Sequence, residues 1–230
     1  MIPTYNEREN IEELVKEILA LPLSYDLIAL VVDDHSPDGT AGVVNRLAEK
    51  NPRVRLLLRQ KRRGRGAAGI EGFKTALSLG ADYIVEMDGD GSHQPRFIPS
   101  LLEAAKNAGV VLGSRFVKGG KEIDRAIHRR IITRLVRLFL SRRFHLPVQD
   151  VTSGFRCFRR EVLQKIDLDD LISVGPSVVL ETLCKAHLLG TSIVEVPIVF
   201  VDRKKGKTKL TAVTLLETLV MALKFKKIYR

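Results

Sequence analysis

Tryptophan is absent from the 230 residues, aromatic residues make up only 6%, and there are two cysteines, Cys157 and Cys184. So few cysteines exclude a disulfide-stapled secreted scaffold, and no C-x-x-C or Cys/His spacing offers a zinc site. Both cysteines fall in segments that read as strand and helix, which makes them expected reduced core residues of a cytosolic protein. The opening "MIPTYNEREN" has neither the basic flank nor the apolar core of a secretory leader. Long hydrophobic runs are also missing. The best late stretch, "LTAVTLLETLVMALKF", is interrupted by Glu217 and is too short to span a bilayer. The expected protein is therefore soluble or lies on a membrane.

Against these absences stand 45% hydrophobic residues, enough for a real core, and a formal charge of +11 that calls for anionic partners: nucleic acid, phosphorylated metabolites or acidic lipid. Ile11, Leu14, Val15, Ile18 and Leu19 follow helical spacing, and "LIALVVDD" then reads as a buried strand. Asp38 and Thr40 offer caps for a helix ending near "EKNP". Strand "RVRLLLR", helix "AAGIEGFKTALSLG", strand "YIVEM", helix "FIPSLLEAAKNAG" and strand "VVLGS" continue the alternation. The fold class is α/β, a mostly parallel central sheet with helices on both faces. Only Met1 and Ile2 precede Pro3, so the first strand reads as truncated: either the sequence starts late or this edge of the sheet is poorly formed. From residue 114 the alternation stops. A helix over 124–144 carries Arg130, Arg134 and Arg137 beside apolar Ile127, Ile131, Leu135, Leu138 and Phe139, and 210–229 reads as a second amphipathic helix ending in Lys224, Lys226 and Lys227. With no repeat or linker, 1–230 is expected to be one domain.

The strand before "VEMDGDGSHQP" ends in two like charges, Asp88 and Asp90, with nothing close in sequence to neutralise them. Two carboxylates so placed suit a hard divalent ion, whose shell is completed by water and substrate phosphate. Ligands of such sheets sit at the carboxyl ends of the strands, so Asp33, Asp34, Asp88 and Asp90 are expected around one crevice. "DRKKGKTKL" adds Arg203, Lys205 and Lys209. Acids to hold a cation and bases to hold phosphate suggest a nucleoside diphosphate site. The run "QKRRGRG", without interleaved aromatics, reads as a loop over the bound phosphates or a solvated charge run more readily than as a nucleic-acid patch. "GRGAAG" lacks the G-x-G-x-x-G register and follows a basic loop, which argues against a dinucleotide fingerprint.

Taken together and in order, "IPTYNE", "VVDDHSPDGT", "GRGAAGIEGFK", "MDGDGSHQP", "GSR", "DVTSGFR" and "VDRKKGKTKL" resemble the dolichol-phosphate mannose synthase family of inverting GT-A polyprenyl-phosphate glycosyltransferases. The resemblance covers nearly the whole chain and implies a nucleotide-sugar-binding half over 1–113 and an acceptor and interface half over 114–230. It implies a nucleotide-sugar donor (GDP-mannose, with UDP-glucose the alternative), a polyprenyl phosphate acceptor, and a divalent cation, Mg²⁺ or Mn²⁺. By position it places Pro3, Tyr5, Glu7, Val32 and Asp34 at the base and ribose, and Asp88, Gly89, Asp90 and Ser92 at metal and diphosphate. Arg203 and Lys209 fall at the diphosphate, and Arg115 and Arg129 at the acceptor phosphate. Asp88, Asp90 and Ser92 are the implied metal ligands, with His93 or Gln94 in place of Ser92, where relatives often carry Gln. Asp150 and Arg156 of "DVTSGFR" are second-tier acceptor-side residues. Some relatives continue into transmembrane helices. The short form implies attachment to the cytoplasmic face of a membrane, directly or through small anchoring subunits, and no nucleic-acid partner. A lipid phosphate is already anionic, so no general base is required, and His35, His128 and His145 are expected at the surface.

Overall fold

The computed structural model describes residues 1–60, 64–203 and 212–228, the last stretch with side chains over 217–225. Strands β1 (Ile2–Thr4), β2 (Ala29–Asp33) and β3 (Val54–Leu58) form a parallel sheet in the order β1-β2-β3. Strands β4 (Tyr83–Glu86), β5 (Val110–Ser114), β7 (Arg156–Arg159) and β8 (Ile193–Pro197) form a second, ordered β4-β7-β5-β8, with β7 antiparallel between β4 and β5. Met1 joins the two: its amine donates to the Val85 carbonyl at 2.8 Å, and the Met87 amide donates to the Met1 carbonyl at 3.2 Å. Strand β1 thus lies inside a continuous surface, which corrects the expectation of a poor edge. Successive residues direct their amides to opposite sides. Ile2 and Thr4 serve β2, while Pro3, which has no N–H, faces the side where β4 has already given way to its turn.

Helices α1 (Ile11–Leu19), α2 (Thr40–Lys50) and α4 (Ile98–Ala105) cover one face. Helices α3 (Arg65–Ser78), α6 (Arg160–Lys165), α7 (Val178–Leu188) and α8 (Ala212–Ile228) cover the other. Strand alternation feeds both cores. Leu30 and Val32 of β2 join the α3 side while Ala29 and Val31 join the α1 side; Phe158 and Cys157 of β7 divide in the same way. Strands β2 and β5 are buried along their whole length, as strands covered on both faces must be. Both cysteines are buried free thiols, as expected, Cys157 on β7 and Cys184 on α7.

Beyond β5 a short parallel pair, β6 (Lys121–Ile123) with β9 (Val199–Val201), stands over the carboxyl edge of the sheets and leads into α5 (Ile127–Phe144). Of α5 only Leu140 is buried, with Val136 and Phe144 packed beside it on the core, while Ile127, Ile131, Leu135, Leu138 and Phe139 stay exposed. Among the described residues no helix is long and apolar enough to cross a membrane.

Candidate active site

The strand ends do converge, but their acids divide into two kinds. Asp33 is fully buried; it accepts the Ser36 amide at 2.9 Å and hydroxyl at 2.6 Å, and the Thr4 hydroxyl at 3.4 Å. Asp34 pairs with Arg59 and accepts the Gly64 amide at 2.8 Å, which ties the start of α3 to β2. Asp88 and Asp90 are held differently. Arg65, the first residue of α3, sends Nη1 to Glu86 at 3.0 Å and Nη2 to Asp88 at 3.2 Å. Arg203 brings Nη2 within 2.6 Å of Asp90, and its Nη1 lies 3.8 Å from Glu7. The like charges that nothing nearby in sequence relieves are met from 23 and 113 positions away.

The turn leaves room for this. A Cβ on Gly89 would lie 2.8 Å from Thr4 Cγ2, and one on Gly154 would lie 3.2 Å from Arg65 Nη2 and 3.4 Å from the Asp88 carboxylate. Ser92 donates both its amide (3.0 Å) and its hydroxyl (2.6 Å) to Asp90. His93 stacks on Phe155 with centroids 5.2 Å apart, and its Nδ1 accepts the Asp88 amide at 3.2 Å. Burial lowers the His93 pKa despite Asp88 and Asp90 beside it, so its ring is neutral at pH 7 with the proton on Nε2. Burial works to raise the Asp88 carboxyl, but Arg65 outweighs it and the group ends below the usual carboxylate range. Among the described residues no three His, Cys, Asp or Glu side chains form a ready-made metal cluster.

Facing this turn is a second, arginine-rich group. Asp150, fully buried, accepts Arg115 Nε at 2.8 Å and Nη2 at 2.7 Å, and also the Arg115 amide at 3.0 Å. Burial pushes the Asp150 carboxyl up, and Arg115 more than reverses it, leaving it depressed. Glu122 on β6 is shared by Arg115, Arg125 and Arg130. Arg129 reaches Asp202 at 2.6 Å.

Residues 1–167 match the family model described as "Glycosyl transferase family 2". The chain belongs to glycosyl transferase family 2. It is 40% identical over 211 residues to an undecaprenyl-phosphate mannosyltransferase of Micrococcus luteus, covering 92% of this chain and 86% of that protein. It is 38% identical over 222 residues to a polyprenol monophosphomannose synthase of Mycolicibacterium smegmatis, covering 95% and 83%. Its fold matches a mannosyltransferase of Pyrobaculum calidifontis solved with GDP-Man and Mn²⁺, at TM-score 0.62 and 24% identity, over 97% of this chain and 63% of that one.

Within this glycosyltransferase, the expected donor-side residues Glu7, Asp88, Gly89, Asp90, Ser92 and Arg203 stand together, with Pro3 and Tyr5 at the adjoining end of β1. The Val32 side chain lies in the core beneath α3, where a Cβ on Gly72 would come within 2.9 Å of it, so only its main chain is near the edge. Lys205 and Lys209 lie outside the described residues. Arg156, a second-tier expectation for the acceptor side, stands inside the core. It is fully buried and donates to the Ser153 carbonyl at 2.6 Å, the Val151 carbonyl at 3.2 Å and the Val179 carbonyl. His35, His128 and His145 are exposed, as expected. Sequence reasoning missed Arg65, Glu122 and Asp202. For Arg65 the signal was its place at the helix end of "QKRRGRG", read there as part of a loop; Glu122 and Asp202 carried none.

Proposed function

We propose that the chain transfers mannose from GDP-mannose to a polyprenyl phosphate, with inversion at the anomeric carbon and with a divalent cation, Mg²⁺ or Mn²⁺, at the Asp88-Gly89-Asp90 turn. The observation that carries it is the convergence of Asp90 with Arg203 at one strand edge, a carboxylate for a cation and a guanidinium for phosphate. The names of the curated relatives supply the sugar and the lipid class.

The donor set fits such an ion: two carboxylates and the Ser92 hydroxyl are hard oxygens, and the buried Gln94 Oε1 is an acceptor without a hydrogen-bond partner. Asp88 and Asp90 would hold it, and when bound it would neutralise charge on the leaving diphosphate. The chain's own residues do the rest. Arg203, with Lys209, binds the diphosphate by charge-assisted hydrogen bonds that strengthen as charge develops. Pro3, Tyr5, Glu7, Val32 (through its main chain) and Asp34 line the base and ribose side. The acceptor oxygen is anionic at pH 7, so the protein positions the nucleophile and need not deprotonate it. Arg129, with its side chain 29% exposed, is the arginine that meets the acceptor phosphate. Arg115, spent on Asp150 and only 9% exposed, supports that site from beneath. Attack opposite the leaving group inverts the anomeric centre.

The exposed α5 residues Ile127, Ile131 and Leu135, at 74%, 53% and 63%, together with the helix's arginines, suit a helix lying in the headgroup layer of a membrane's cytoplasmic face. The test is a panel of GDP-mannose, UDP-glucose and other nucleotide sugars incubated with polyprenyl phosphate and Mg²⁺ or Mn²⁺. Lipid-linked mannose from GDP-mannose is the expected product. Lipid-linked glucose from UDP-glucose in its place, or no transfer from any donor, would overturn the reading.

A further inference from the structure

Asp202 and Arg203 are neighbours in sequence, yet their side chains serve opposite sides of the site. Arg203 reaches the donor side, at Asp90 and Glu7. Asp202 reaches the acceptor side: its Oδ2 accepts Arg129 Nη1 from the first turn of α5 at 2.6 Å. The backbone around them is pinned on both sides too. The Val201 amide donates to the Ser92 carbonyl at 3.2 Å, inside the Asp90 turn, and the Asp202 amide donates to the Ile123 carbonyl at 3.1 Å, at the end of the strand that leads into α5. A further bond joins the pair itself, since the Arg203 amide donates to Asp202 Oδ1 at 3.1 Å. Any movement of the Arg203 main chain is therefore felt by the carboxylate that holds Arg129.

We infer that Asp202 is a positioning residue that couples the two substrate sites: it restrains Arg129 until a nucleoside diphosphate engages Arg203, and then releases it to the acceptor phosphate. This rests on the mannosyltransferase reading and deepens it. Before the donor binds, the acceptor phosphate must compete with the Asp202 carboxylate for the same guanidinium, at a separation where a charge-assisted bond is strong. A diphosphate competes in the same way with Asp90 and Glu7 for Arg203. Where engagement of the diphosphate draws the Arg203 main chain with it, the bond from its amide to Asp202 Oδ1 carries that shift to the carboxylate whose Oδ2 holds Arg129. The outcome is an acceptor site that strengthens when the donor is in place. This order protects the enzyme from filling its acceptor site unproductively. Linkage requires the converse as well: lipid phosphate must tighten nucleotide binding by the same factor.

The experiment titrates the full chain with a short polyprenyl monophosphate in detergent micelles, with and without GDP and Mn²⁺, by calorimetry, beside a mannose-transfer assay. Wild type should bind the lipid phosphate about tenfold more tightly when GDP and Mn²⁺ are present, within the range of about 5- to 150-fold usual for coupled sites. Asp202→Asn, nearly isosteric and at a position 17% exposed at the side chain, should bind it tightly whether or not GDP is present, bringing the ratio near one. Asp202→Glu should keep a ratio well above one, which a loss of local structure would not. A wild type with no donor dependence, or an Asp202→Asn variant with the wild-type ratio, overturns the coupling while leaving the functional reading intact. A wild type that transfers no mannose and binds neither probe overturns that reading, and the coupling with it.

Discussion

Arg203 and Asp90 stand 113 positions apart in the chain and 2.6 Å apart in space. Asp90 also accepts two bonds from Ser92, so one carboxylate fixes the turn and anchors Arg203, and in the proposed reading it presents oxygens to a cation as well. Asp90→Asn keeps the shape and one acceptor oxygen but loses the charge. Transfer should fall at least hundredfold, about 2.7 kcal/mol in the barrier, with thermal stability little changed. Retained turnover at saturating GDP-mannose would remove Asp90 from the chemistry.

Arg65 has a heavier structural share. Its partner Glu86 is 1% exposed at the side chain, and Arg65 supplies that acid's ion pair. Arg65→Ala should cost about 3–5 kcal/mol in urea unfolding, the range for breaking a buried pair and leaving one charge unmatched. Arg65→Lys should fall between, because a point ammonium cannot reach Glu86 and Asp88 as the planar fork does. Equal stability of Arg65→Ala and wild type would contradict the pairing.

How much of this was legible in sequence follows from where the determinants lie. Strands β2 and β5 announced themselves because burial on both faces demands a continuous apolar run, and the Asp88-Gly89-Asp90 turn because two like charges at a strand end need a reason. The pairing of β7 antiparallel between β4 and β5 was not readable. "FRCF" has the period of any buried strand, and nothing in its own residues gives its direction. Glu122 and Asp202 were invisible for the same kind of reason. A lone acid in a basic stretch reads as solvated, and only the β6–β9 pairing brings each of them to its arginines. Asp34 shows how a motif residue can also carry the fold. Its motif marked it for the ligand, and the fold has engaged it with Arg59 and the Gly64 amide.

Asp150 links the Arg115 cluster to acid stability. Its folded pKa is depressed, so the stability it contributes is complete above the unfolded value of about 3.9 and is lost as pH falls through the lower folded value. Asp150→Asn removes that dependence and leaves Arg115 buried without its counter-charge. The variant should lose about 3–5 kcal/mol at pH 7 and show a flatter stability profile below pH 4 than wild type. Parallel profiles for the two proteins, followed by urea unfolding at stepped pH, would show that Asp150 carries no such linkage.

Burial pushes both thiols up, Cys157 and Cys184 each to about 12. The thiolate is the reactive form, so at pH 8 the folded protein should react with an aromatic disulfide reagent only as fast as it unfolds, and both thiols should titrate at once in denaturant. Transfer activity should survive prolonged exposure to the reagent. Rapid labelling of a native thiol would mean that one of the two cores opens far more readily than its packing indicates.

The last expectation concerns delivery of a lipid substrate to a chain without a described membrane-crossing helix. On α5, Ile127, Ile131 and Leu135 follow one another at intervals of four, so they share a face, and none of them is buried. Leu138 and Phe139, at 43% and 45% exposed, extend the apolar surface toward the helix end, where Arg142 and Arg143 stand. An apolar stripe left in water costs free energy that insertion into the acyl boundary recovers at about 25 cal/mol per Å². Each basic residue near an anionic surface adds about 1 kcal/mol, screened by salt. The purified protein should sediment with anionic liposomes at low salt and be largely released at high salt. An Ile131→Glu/Leu135→Glu variant should stay in the supernatant while keeping the wild-type melting temperature, since neither side chain supports the core. Its transfer to a water-soluble short-chain acceptor should be unchanged, and its transfer to acceptor embedded in vesicles lost. Undiminished vesicle binding by that variant would move the membrane contact away from α5.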